Sequence, residues 1–135
     1  MIRPIEPGLR ILLVEDQPII RHLLGQLLGA LGHSVVLASR FDQAYCFVQN
    51  SSFDLLISDI NLADGCGLDL IRQIREMSDL PAIAMSGDHD LEGASLACGY
   101  SGFLAKPVTF QHLQDEIARL TCGSASIREQ SCTSC

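Results

Sequence analysis

Short apolar runs alternate along this chain with longer stretches in which apolar residues recur every three or four positions. Ile11-Leu12-Leu13-Val14 is apolar without alternation and stops abruptly at Glu15-Asp16. A run of that length, apolar on both faces, suits a strand buried in a parallel sheet. Pro18 then stands where a helix can begin, because the N–H it lacks would have no partner in a first turn. Ile19, Leu23, Leu27 and Leu31 follow four apart, with Ile20, Leu24 and Leu28 as the adjacent row. Together they predict one broad apolar helix face. Gly32 offers a C-terminal stop.

The alternation repeats four more times. Ser34–Ala38 reads as a strand, and residues 41–49 as a helix carrying Phe41, Ala44, Tyr45 and Val48 inward. Asp54–Asp59 is a third strand, apolar in its middle and again ending in a carboxylate. The turn-rich stretch Asn61–Gly67 predicts a loop, and Leu70, Ile71 and Ile74 mark a helix over 68–77. Pro81 introduces a strand, Ala82–Met85, that ends in Ser86-Gly87. A weak helix over 91–98 follows, then a strand, Gly102–Ala105, ending in Lys106-Pro107. Thr109 is placed as an N-cap, and the last helix sets Phe110, Leu113, Ile117 and Leu120 inward. Five such units are too few for a closed α/β barrel. They predict an α/β, flavodoxin-like (βα)5 fold, an open five-stranded parallel sheet with helices on both faces. Residues 1–9 read as a lead-in, 10–120 as the domain and 121–135 as a flexible tail containing Ser and Cys.

Composition narrows the function. At 135 residues, 47% of them hydrophobic, the chain makes one folded domain. A net charge of −7, with Lys106 the single lysine among nine basic residues, argues against direct nucleic-acid binding. No apolar run reaches the roughly 20 residues of a membrane span. The start of the chain, with two prolines and no apolar core, does not resemble a signal peptide. The expected location is the cytoplasm, with all six cysteines reduced. Cys132-Thr133-Ser134-Cys135 has CxxC spacing but no second pair beside it, so its thiols are expected to be incidental.

The candidate chemistry lies at the carboxyl ends of the strands, where open α/β sheets bind ligands. Glu15 and Asp16 end the first strand, Asp59 the third, Ser86 the fourth and Lys106 the fifth. A single acidic residue in such a place is usually a turn or cap residue. Three carboxylates brought together repel one another and call for a cation. Hard oxygen ligands with room for water and a phosphate suit Mg²⁺. A carboxylate can also accept a phosphoryl group, with a lysine and a serine hydroxyl binding its oxygens.

The residues Ile11-Leu12-Leu13-Val14-Glu15-Asp16, Leu55–Leu62, Met85-Ser86-Gly87 and Phe103-Leu104-Ala105-Lys106-Pro107 resemble the receiver domain of two-component response regulators over about Arg10–Leu120. The resemblance implies that Asp59 is the phosphorylated aspartate. It implies that Glu15, Asp16, Asp59 and the Asn61 main-chain carbonyl hold Mg²⁺. Ser86 and Lys106 would contact the phosphoryl group, Phe103 would be the aromatic switch, and the Lys106–Pro107 bond would be cis. The implied partners are a sensor histidine kinase or a histidine phosphotransfer protein, and a downstream protein docking on the face of helix four, strand five and helix five. The chain is expected to be either a stand-alone regulator or the receiver module of a hybrid kinase. Two positions depart from the usual pattern. Ala63 stands where proline is frequent, and Phe103 lacks the hydroxyl of the common tyrosine. The alternative function is a pseudo-receiver that binds partners without phosphorylation. A flavin carrier would need phosphate donors after strand one, where Glu15-Asp16 would repel a phosphate. A phosphatase of the haloacid dehalogenase type would need a second acid two residues past the nucleophile, where Asn61 stands.

Overall fold

The computed structural model describes residues 8–121. Strands β1 (Arg10–Val14), β2 (Ser34–Ala38), β3 (Leu55–Asp59), β4 (Ala82–Ser86) and β5 (Gly102–Ala105) form one parallel sheet in the order β2-β1-β3-β4-β5. Helices α1 (Pro18–Ala30), α2 (Phe41–Asn50), α3 (Gly67–Arg75), α4 (Glu92–Cys98) and α5 (Phe110–Leu120) alternate with them. The expected (βα)5 architecture is present.

The unbroken apolar runs have a direct cause, because the central strands are buried on both faces. Ile11, Leu13, Leu55, Ile57, Ile83 and Met85 pack with Leu24 and Leu28 of α1 and Leu113 and Ile117 of α5. Their neighbours Leu12, Val14, Leu56, Ala82 and Ala84 pack with Leu70, Ile71 and Ile74 of α3. Successive residues of each strand therefore serve opposite cores. Gly32 closes the α1 region at φ +96°, a conformation that glycine adopts without a Cβ penalty. Thr109 caps α5 by accepting the His112 N–H at 3.1 Å. The Lys106–Pro107 bond is cis.

The structure departs from the sequence reading in four places. First, the predicted broad face of α1 is not buried as a whole. Leu24 and Leu28 are buried, whereas Ile19 is 82% and Leu23 54% exposed. The two rows lie about 100° apart around the helix, and a helix on a sheet buries one stripe. Second, Phe110, expected inward, lies exposed at the first turn of α5. Third, the predicted loop after β3 contains a small antiparallel hairpin, Asn61–Leu62 paired with Gly65–Cys66. Fourth, the end of the lead-in belongs to the fold. The Gly8 N–H donates to the Gly32 carbonyl at 2.8 Å, and Leu9 packs against the core. Residues 1–7 and the tail from Cys122, with its CxxC pair, lie outside the described residues. Cys46, Cys66 and Cys98 are free thiols.

β5 is an edge strand. Its Phe103 N–H donates to Glu116 Oε2 of α5 at 3.2 Å, and Arg119 holds the same oxygen at 2.7 Å. A Cβ on Gly102 would collide with that carboxylate, so the glycine makes room for it.

Candidate functional site

The chain leaves β1 toward β2 and leaves β3 toward β4, so connections from neighbouring strands diverge and open a crevice between them. Glu15 and Asp16 follow β1 directly, and Asp59 is the last residue of β3. One carboxylate oxygen from each lies within 4.8 Å of the other two. Glu15 is fully buried and Asp59 is 4% exposed, while Asp16 is half-buried at the mouth. Lys106, just past β5, reaches back into this cluster. Its Nζ lies 3.0 Å from Glu15 Oε1 and 2.8 Å from Asp59 Oδ2.

These contacts set the charge states. Burial pushes the Glu15 carboxyl above its ordinary pKa. Hydrogen bonds from Lys106 and the Gln17 N–H act the other way, and the charge of Asp59 adds to the rise. Burial by itself would lower the pKa of Lys106. The hydrogen bonds to Asp59 and Glu15 outweigh it and hold the ammonium above its ordinary pKa. The lysine is thus a fixed positive charge between two carboxylates. The backbone orients the acids as well. Glu15 Oε2 accepts the Gln17 N–H at 3.1 Å, and Asp59 Oδ1 accepts the Asn61 N–H at 3.2 Å.

Ser86 ends β4, one residue beyond Met85, the register partner of Asp59. It is buried, and its Oγ accepts the Asp88 N–H at 3.0 Å. Its own hydroxyl hydrogen is free to point elsewhere. Phe103 stands apart from the cluster. It pairs with Ala84 across β4 and lies half-buried against the core on the α3 side. Asn61 begins the hairpin and is exposed.

The sequence reading missed Tyr100. This residue is buried behind the site, and its hydroxyl donates to the Gly67 carbonyl at 2.8 Å. Gly67 is itself wedged against the end of β3, since a Cβ there would lie 2.5 Å from the Asp59 carbonyl oxygen. Burial pushes the Tyr100 phenol well above its ordinary pKa, so it stays a neutral donor. Nothing in the local pattern around Cys98-Gly99-Tyr100 marks a partner 33 residues away.

The donor set fits a small hard cation. Around an octahedral Mg²⁺ adjacent oxygens lie about 3.0 Å apart and opposite ones about 4.2 Å, so a pair at the 4.8 Å bound closes by about 2 Å or less to share the ion. Among the described residues the group consists of carboxylates alone, with no histidine or cysteine in it. Residues 11–118 match the family described as the response regulator receiver domain. The chain belongs to that family. This receiver domain is 35% identical over 124 residues to the gliding motility regulatory protein of Myxococcus xanthus, an overlap of 87% of this chain and 16% of that protein. It is 34% identical over 110 residues to the response regulator protein PilR of Pseudomonas aeruginosa, covering 79% of this chain and 25% of that protein. The domain therefore spans a quarter or less of the length of these two relatives. Among solved structures it is similar to the receiver domain of a sensor histidine kinase from Pseudomonas aeruginosa, with a TM-score of 0.77 and 29% identity over 84% of this chain and 97% of that one. That structure is described with a magnesium ion coordinated in its active-site cleft.

Proposed function

We propose that this receiver domain is a phosphorylatable signalling switch. Asp59 accepts a phosphoryl group from a phosphohistidine on a sensor histidine kinase or a histidine phosphotransfer protein. The observation that carries this reading is the position of Lys106, bonded at once to Asp59 and Glu15 within a cluster of three carboxylates. A structural ion pair needs one acid, whereas this site gathers three acids, two of them bonded to one lysine, beside a crevice.

Glu15, Asp16, Asp59 and the Asn61 main-chain carbonyl would hold Mg²⁺, which supplies positive charge for the approach of an anionic phosphoryl group. An Asp59 carboxylate oxygen attacks phosphorus. The bond from phosphorus to the donor imidazole nitrogen breaks, and that nitrogen keeps the electron pair and takes a proton from solvent. Lys106 exchanges a carboxylate oxygen for a phosphoryl oxygen, and the Ser86 hydroxyl donates to another. Drawing Ser86 toward Asp59 opens space toward which Phe103 can turn. The face of α4, β5 and α5 then changes shape for a downstream protein. Delivery by a protein is supported by an apolar groove of about 390 Å³ beside the lysine, lined by Ile20, Leu23, Leu24, Lys106, Pro107 and Val108.

The test is incubation with Mg²⁺ and acetyl phosphate followed by intact-mass measurement. The expected result is one phosphoryl adduct, lost in EDTA and in Asp59→Asn. An unmodified protein that still binds its partner would move the reading to a pseudo-receiver.

A further inference from the structure

We propose that Asp64 is a positioning residue for the metal-binding loop, pinning the hairpin that carries Asn61 to the start of α2; this rests on the Mg²⁺ site proposed above. The first turn of any helix exposes N–H groups that need acceptors from outside it. In α2 the residue at the N-cap is Arg40, in extended conformation at φ −142° and ψ 161°, and its side chain makes no capping bond. Arginine carries only donors. The acceptor comes instead from the loop after β3. Asp64 Oδ1 accepts the Phe41 N–H at 2.6 Å, and Oδ2 faces the Asp42 N–H at 3.3 Å. A carboxylate there also meets the positive end of the helix dipole.

Asp64 sits at the tip of the hairpin, between Leu62 and Gly65. The hairpin backbone rests on the ring of Phe41, because a Cβ on Gly65 would lie 2.9 Å from it. At the other end, the Asn61 N–H binds Asp59 Oδ1 and the Gly67 N–H binds the Ile60 carbonyl at 2.6 Å. The base of the hairpin is therefore tied to β3 and its tip to α2. The residue before Asp64 is alanine, which fixes no backbone angle as proline would. A ligand that is a main-chain carbonyl cannot be aimed by its own side chain. Its direction depends on the whole loop, and the tip of that loop is held by Asp64.

The test measures Mg²⁺ affinity by calorimetry and unfolding by urea in four proteins: wild type, Asp64→Ala, Asp64→Asn and the double variant Arg40→Ser/Asp64→Ala. Outer contacts that orient a metal ligand are worth roughly 10- to 100-fold in affinity. A contact one step further out should give about three- to tenfold. Asp64→Ala is expected to weaken Mg²⁺ by that factor and to lower the urea midpoint. The Ser of the double variant gives α2 a local cap, so the midpoint should recover while Mg²⁺ affinity stays low. Asp64→Asn keeps a capping acceptor without the charge and should bind nearly as wild type does. Recovery of both properties in the double variant would reduce Asp64 to a helix cap and overturn the inference. So would wild-type affinity in Asp64→Ala, or an Asp64→Asn as weak as Asp64→Ala, which would point to charge alone. A wild type that binds no Mg²⁺ would instead remove the metal site, and the inference with it.

Discussion

Replacing Lys106 with methionine keeps the apolar stem of the side chain and removes its charge. Lys106 Nζ lies 2.8 Å from Asp59 and 3.0 Å from Glu15, and its side chain is 22% exposed. Without it the two carboxylates face each other. Unit charges at the 4.8 Å bound of the cluster repel by roughly 3.5 kcal/mol at an effective dielectric near 20. Removing one partner of a fully buried pair costs about 3–5 kcal/mol, and the water that reaches Lys106 reduces this, so we expect a loss of about 2–4 kcal/mol. The loss should depend on pH. Glu15 already binds its proton more tightly in the folded state than in the unfolded chain. The contribution of such a group is fully present below the unfolded pKa and is lost as pH rises through the folded one. Removing the lysine raises that folded pKa further. The deficit of the variant should therefore be largest near pH 8 and shrink toward about pH 5. Mg²⁺ brings back the missing positive charge, so saturating Mg²⁺ should stabilise the variant more than the wild type. Urea unfolding across this pH range, with and without Mg²⁺, measures both effects. A deficit that is flat with pH, together with equal stabilisation of the two proteins by Mg²⁺, would refute the electrostatic account of the site.

Two further outcomes follow from packing. Tyr100→Phe leaves the buried Gly67 carbonyl without its donor and should cost about 1–2 kcal/mol in urea unfolding; an unchanged midpoint would mean that this contact does not hold the start of α3. Leu28→Ala should cost about 2–5 kcal/mol, because Leu28 is fully buried under α1. Ile19→Ala, at an exposed position of the same helix, should change stability by less than about 0.5 kcal/mol, and equal losses at the two positions would show that α1 is rotated from the orientation described.

The fold was legible because the signals that set the sheet were the least ambiguous ones. An apolar run of four or five residues without alternation is too short for a helix and suits a strand covered on both faces, and β1, β3 and β4 are buried that way. The site was legible for a related reason. Polar residues that end such runs must gather at one edge of a parallel sheet, and Glu15, Asp16, Asp59 and Lys106 do meet there. What could not be read was contact between distant positions with no repeating pattern. Asp64 lies within the turn-rich stretch that predicts only a loop, yet its partners lie 22 and 23 positions earlier. Tyr100 gave no sign of the carbonyl it reaches. The exposed row of α1 shows a different limit. Periodicity reports which residues share a helix face, and it is silent on whether that face meets the sheet, a groove beside the site or solvent.

The carboxylate that Glu116 places against the edge of β5 has a consequence for recognition. An open strand invites any extended peptide to add itself through main-chain hydrogen bonds, a language common to all sequences. At Phe103 that invitation is withdrawn, since the strand's N–H is already spoken for by its own helix. A partner arriving at that point meets side chains, and side chains are what differ between one receiver domain and another. A backbone shared by so many relatives cannot tell them apart. By answering its own edge at Phe103, this chain leaves discrimination there to residues that mutation can change one at a time.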